Sequence, residues 1–272
     1  MKIILALFLF ISSSIHLLAQ NADPLVKAEH AFEKACFEKG IRDGFLAFVD
    51  SNGIQFSKNG PVNAKKLWTS LPAFAGIFSW SPSFAEMSLS GDWGYTTGYY
   101  EHRPKTLHDT VEDAGQYTTV WHKDLNGEWK YLIDMGNGHA PVPPAKFSNT
   151  VQIEKNADTQ IPVENAISAQ EKKFIEIFEK RVADAYKEYG SGKYILNLEG
   201  HLPVTSKDSA VILITGVPTS ITYHPAGIKI SSGNDMAAIY GTIDAGDKSG
   251  SYLRIWRHEK YGWKIALEVI KF

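Results

Sequence analysis

GDWGYTTGYYE (91–101) and GQYTTVWHKDLNGEWKYLID (115–134) make one continuous pattern of glycine, threonine and aromatic residues, and the chain contains it twice. Its second occurrence is GNDMAAIYG (233–241) followed by GSYLRIWRHEKYGWKIALE (250–268). Asp92 corresponds to Asp235, Gly98 to Gly241, Tyr117 to Tyr252, Trp121 to Trp256, Trp129 to Trp263 and Asp134 to Glu268. The correspondence reaches upstream, where Trp80-Ser81-Pro82 aligns with Tyr223-His224-Pro225 and Pro61–Lys65 with Pro203–Lys207. A unit this long is a whole domain, because solenoid repeats have periods of about 20–50 residues.

Working outward, both copies place helices before the strands. Asp23-Pro24 opens a first helix whose stripe is Leu25, Ala28, Phe32, Ala35 and Cys36; steps of three and four put these on one face. Gly40 interrupts it, and Ile41, Phe45, Phe48 and Val49 continue the apolar surface. A short strand is expected at 54–56, and Asn63 is placed to cap a short helix over 64–71. Strands are expected at 79–89, 93–102, 116–123 and 129–135, with Asp124–Gly127 as a hairpin turn. The second copy repeats the plan with one helix over 166–189, a short helix capped by Thr205, and strands at about 220–230, 236–242, 251–258 and 263–271. Neighbouring strands on short connections imply antiparallel pairing. The fold class is therefore α+β, as two domains at 24–136 and 166–272, joined by a Pro- and Asn-rich linker over 137–165.

Composition sets bounds on function. Hydrophobic residues at 44% and aromatics at 12% are enough for two packed cores, and the net charge of −2 comes without a basic block. A cationic nucleic-acid face is thus disfavoured. Residues 1–19 read as a signal peptide, one Lys followed by a short apolar run and then Ala19, which places cleavage before Gln20 and the mature protein in the periplasm or outside the cell. The run is too short for a span of about 20 apolar residues, so no membrane attachment is expected after cleavage. Cys36 is the single cysteine and can form no intrachain disulfide.

The segments KGIRDGFLAFV (39–49), GPVNAKKLW (60–68), SGDWGYTTGYYE (90–101) and GQYTTVWHKDLNGEWKYLIDMG (115–136) resemble the SnoaL-like group of the nuclear transport factor 2-like superfamily. The resemblance spans 24–136 and extends more weakly over 166–272, where Ala238 stands in place of Tyr95 and Gly40–Asp43 has no counterpart. It implies two cone-like domains, each with N-terminal helices packed on a curved antiparallel sheet. Such domains often pair through their sheets, which implies an intramolecular pseudo-dimer of the two copies. The superfamily holds isomerases, cyclases, dehydratases and binding modules, so fold leaves function open.

By the same resemblance, the cone of the N-terminal copy would enclose an apolar pocket for a small apolar or aromatic molecule, lined by Trp80, Tyr95, Tyr99, Glu101 and Trp121. Strand alternation separates Trp93, Tyr95, Thr97, Tyr99 and Glu101 from Gly94, Thr96, Gly98, Tyr100 and His102, and the first set is expected to face the cone interior. Asp134 is the candidate general base of a cofactor-free lyase or isomerase, since desolvation raises a carboxylate toward working pH; the plainer role is to cap or pair with a neighbour. A third reading is a protein-interaction module using exposed sheet faces. The nine histidines show no HxH or HExxH spacing, so no metal ligation is expected, and no phosphate loop or nucleophile elbow implies a cofactor or a serine nucleophile.

Overall fold

The structure, a computed structural model of the chain, describes residues 21–143, 146, 163–217 and 220–272. The expected signal peptide and most of the expected linker lie outside the described residues. The first half runs α1 (Asp23–Lys39), α2 (Ile41–Phe48), β1 (Val49–Ser57), β2 (Gly60–Asn63), α3 (Ala64–Ser70), β3 (Ile77–Met87), β4 (Trp93–Arg103), β5 (Asp113–Lys123) and β6 (Trp129–Gly138). The second runs α4 (Val163–Phe178), α5 (Val182–Tyr189), β7 (Gly190–Leu198), α6 (Lys207–Thr215), β8 (Ile221–Ile230), β9 (Met236–Ala245), β10 (Lys248–Glu259) and β11 (Gly262–Lys271). Sheet orders are β2-β1-β6-β5-β4-β3 and β7-β11-β10-β9-β8, so the halves share one topology and β2 alone lacks a named counterpart. The molecule is two α+β units.

The sheets are mixed rather than wholly antiparallel. The four long strands of each half are antiparallel, but β1 pairs parallel with β6, and β7 parallel with β11. Each of these pairs needs a crossover, which here runs through a short helix and three long strands. Other element limits also differ from the sequence reading. The expected single helix over 166–189 is two, broken at Glu179–Arg181, which lets Tyr186 fold back edge-on to Phe174 at 5.6 Å. Asn63 does cap α3, accepting from the Lys66 amide at 2.9 Å, but the cap of α6 is Ser206, not Thr205. Strand β6 runs past 135 to Gly138, because Asn137 and Gly138 find Gln116 and Gly115 across the ladder.

Pro82 and Pro225 occupy equivalent bulges on the edge strands β3 and β8, between Pro82/Phe84 and Pro225/Gly227. A bulge on an edge is where a strand tolerates a residue that cannot donate to the ladder.

Three apolar clusters hold the molecule. One lies under α1 and α2, around Phe32, with Phe45, Trp80, Trp121 and Tyr131. Its counterpart lies under α4 and α5, around Phe174. The third contains Trp93, Tyr95, Ile133 and Met135 of the first sheet with Met236, Leu253, Ile255 and Leu267 of the second, so the faces turned away from the helices pack on each other. The expected parity is therefore reversed. Tyr95 points away from the helices into the contact between sheets, whereas Thr96 bonds Glu29 of α1.

Reciprocal bonds flank this contact. The Leu89 amide donates to Asp235 Oδ2 at 2.8 Å, and the Ser232 hydroxyl to Asp92 Oδ2 at 2.6 Å. Asp92 and Asp235 are equivalent positions, so each half holds the other by the same turn, as in an isologous interface. Nearby, Arg257 donates to Glu86 Oε2 at 2.5 Å, and the Tyr95 hydroxyl reaches the same oxygen at 3.0 Å.

Candidate functional site

The six residues singled out in the sequence fall in three places. Trp80, Trp121 and Asp134 lie inside the first cone. Tyr99 lines a cleft between the halves, with Glu101 beside it. Tyr95 is sealed in the contact between sheets.

Inside the first cone, Glu29 projects from the apolar stripe of α1 and is fully buried. It accepts from Trp80 Nε1 at 2.6 Å, from Trp121 Nε1 at 3.1 Å and from the Thr96 hydroxyl. Burial outweighs these donors and pushes its pKa up to about 7. Asp134 accepts from Gln55 Nε2 at 3.0 Å and from the Thr119 hydroxyl at 2.9 Å, and burial raises it too. Neither carboxylate has a salt bridge among the described residues. The hydroxyls of Tyr117 and Tyr131 are buried here and make no hydrogen bond of ordinary geometry among the described residues. The Phe32 ring fills the centre, 5.0 Å from Trp80 and 5.7 Å from Tyr131.

The second cone solves the same problem with a cation. Glu171 and Glu268 occupy the places of Glu29 and Asp134, and Arg254 lies between them, donating to Glu171 and, at 2.5 Å, to Glu268 Oε1. Glu268 also accepts from Tyr186 at 2.6 Å, Tyr194 at 2.9 Å and Tyr223 at 3.1 Å. The guanidinium sits 4.1 Å from the Phe174 ring and 4.5 Å from that of Tyr223. Burial works against its charge, yet Glu171 and Glu268 hold its pKa well above the ordinary value. Register fixes the correspondence, since Arg254 faces Glu268 as Thr119 faces Asp134. Neutral donors thus stand in the first cone where the second has a cation, and one carboxyl there, Glu29, is pushed up to about 7.

A cavity of about 660 Å³ lies between the halves rather than inside a cone. Its walls include Phe84, Tyr99, Pro143, Ile195 and Leu202, and its polar side carries Thr97, Gln116 and Asn197. Asn197 Nδ2 donates to Thr97 Oγ1 at 3.1 Å and to Thr118 Oγ1 at 3.3 Å. Both hydroxyls already donate elsewhere, Thr118 to Thr97 and Thr97 to the Tyr117 carbonyl, which fixes the orientation of the amide. The Tyr99 hydroxyl donates to Glu101 at 3.1 Å and accepts from the Val142 amide at 3.3 Å, tying the chain after β6 to the rim.

The internal repeat explains the cavity. At the equivalent place on the other side of the contact, Phe56 meets Tyr240 edge-on at 6.3 Å. Ile54 and Ile195 face equivalent residues of β6 and β11, so Phe56 corresponds to Asn197. Tyr240 precedes Gly241 as Thr97 precedes Gly98, so those two correspond. On the filled side Gly227 makes way for the Tyr240 ring, since a Cβ there would lie 2.4 Å from the hydroxyl oxygen. On the open side an aromatic pair has become a small polar pair.

The sequence reading missed Glu29, Glu171, Arg254 and Asn197, and it gave Thr97 only as one of the strand residues expected to face the cone interior, not as part of a cleft between the halves. For the two glutamates a signal exists: each interrupts an apolar helical stripe at the same step, Leu25-Glu29-Phe32 and Ile167-Glu171-Phe174. Thr97 and Asn197 stand one hundred residues apart and carry no local signal. The described residues contain no group of three or more His, Cys, Asp or Glu placed to hold a metal ion.

No family model and no curated protein matches the chain. Solved structures do. An NTF2-like protein from Cytophaga hutchinsonii ATCC 33406 is similar at 15% identity and TM-score 0.35, over 41% of this chain and 98% of that one. An NTF-2 like protein of unknown function from Shewanella oneidensis MR-1 is similar at 16% identity and TM-score 0.35, over 40% and 98%. A ketosteroid isomerase-like protein from Erwinia carotovora atroseptica SCRI1043 is similar at 16% identity and TM-score 0.32, over 39% and 93%.

Proposed function

We propose that the chain is an exported protein that binds a small, largely apolar molecule in the cleft between its two sheets. The observation that carries this reading is the exchange of Phe56 and Tyr240 for Asn197 and Thr97, beside which a cavity of about 660 Å³ lies. Ligand sites commonly enclose about 300–1,000 Å³, with apolar walls and few polar groups. The first cone, where the sequence reading placed the pocket, is occupied at its centre by Phe32 and its aromatic neighbours. The test is a melting-temperature screen of apolar small molecules against the wild type and Thr97→Tyr. Hits should stabilise the wild type and leave the variant unchanged; hits that stabilise both equally would place the site elsewhere.

A second reading has its own observation. Asp134 is raised by burial and bonded only to neutral donors, and the nearby Tyr117 and Tyr131 hydroxyls are raised chiefly by their own burial and further by the Asp134 charge. This arrangement suits a base for a cofactor-free lyase or isomerase. It requires that Asp134→Asn abolish deuterium exchange at carbons next to a carbonyl, across a ketone panel, while melting close to wild type. A variant that merely melts lower makes Asp134 structural.

A further inference from the structure

We infer that the cleft takes an apolar molecule carrying one carboxylate, bound with the carboxylate at the rim and the apolar body inside. The inference rests on the cleft reading above and adds the chemistry of the ligand. Among the described residues, the charged ones lining the cavity are Lys146 and Lys193, both exposed, and none is acidic. Neither lysine is ion-paired among the described residues. Glu101, the acid next to Tyr99, is already engaged, accepting from the Tyr99 hydroxyl and pairing with Arg103. Counted over the described residues, the rim is therefore net positive.

The interior offers no charge. Phe84, Ile195, Leu202 and the Tyr99 ring supply apolar surface, and the Asn197 amide N–H groups are already bonded to Thr97 and Thr118. An ionised group pushed to that depth would lose its water without a counter-charge, which is strongly unfavourable. At the rim the same group keeps part of its hydration and meets two ammonium groups on flexible stems. A neutral ligand would leave that positive rim without a role, and a cation would be repelled by it. Alkyl and aryl acids share this chemistry.

Isothermal titration with matched pairs tests the assignment: octanoate against 1-octanol, and 2-naphthoate against 2-naphthalenemethanol. Wild type, the double variant Lys146→Gln/Lys193→Gln, and Thr97→Tyr are compared, each checked for a native circular dichroism spectrum. At least one acid should bind the wild type ten-fold or more tightly than its alcohol. That preference should vanish in the double lysine variant, and acid and alcohol alike should be lost in Thr97→Tyr. Which acid wins distinguishes an alkyl from an aryl ligand. Equal affinity for acid and alcohol, a preference that survives the lysine changes, or no binding by either acid at millimolar concentration overturns the carboxylate assignment. Binding that is strong in Thr97→Tyr overturns the cleft reading itself.

Discussion

Glu29 and Arg254 carry the sharpest consequences at the scale of single residues. A carboxyl whose pKa is raised from 4.5 to about 7 binds more protons folded than unfolded between those values. Its contribution to stability is therefore full below about pH 4.5 and lost as pH rises through about 7, a change of about 3 kcal/mol. Glu29→Gln should flatten that slope and raise stability at pH 8, measured by urea unfolding at several pH values; a slope identical to wild type would mean Glu29 is not the titrating group. Arg254 makes the opposite case. Replacing it with Met leaves Glu171 and Glu268 buried without a cation, and breaking a buried pair in this way costs about 3–5 kcal/mol. A loss below about 1 kcal/mol by urea unfolding would show that the tyrosines around Glu268 suffice. Thr119 and Arg254 occupy one position of the repeat, and the alignment paired Asp134 with Glu268, but it did not reveal the second buried carboxylate of each half, because Glu29 and Glu171 lie on helices that precede the aligned strands.

Among the elements, the strands were legible and their facing was not. A sheet with one wet face alternates polar and apolar residues, but here one face lies under the helices and the other under the second sheet. With both faces buried, the period-two signal disappears, as in parallel sheets covered on both sides. Trp93 and Tyr95 looked as much like cone lining as Trp121 did. The break at Glu179–Arg181 was missed because no glycine or proline marks it, unlike Gly40 in the first half. Gly98 and Gly241 are the opposite case, landmarks of the repeat with a structural reason. A Cβ on Gly98 would lie 2.0 Å from the Ser81 carbonyl, and one on Gly241 2.1 Å from that of His224, both backbone atoms beside the proline bulges. Gly98→Ala should therefore force β3 and β4 apart and cost about 1–3 kcal/mol. An unchanged urea midpoint would show that the bulge absorbs the methyl group.

For the whole molecule, the duplication announced two domains, and the shared third cluster makes them depend on each other. We infer an intramolecular pseudo-dimer. Leu253 and Ile255 of one sheet share a core with Val120 and Ile133 of the other, so the halves should unfold in one transition. The protein should sediment as a compact monomer. Leu253→Asp should split the melting curve in two and extend the scattering profile; two independently moving lobes in the wild type would contradict the inference. The cleft was not legible in the sequence, because its signal is an absence: Thr97 and Asn197 where the other side has Tyr240 and Phe56.

Native mass spectrometry of the protein, recovered from the cells that make it, tests the central claim most directly when the wild type is set beside Thr97→Tyr. The account predicts a reproducible extra mass on the wild type and a bare polypeptide for the folded variant. An adduct that Thr97→Tyr keeps, or bare polypeptide in both, would contradict it.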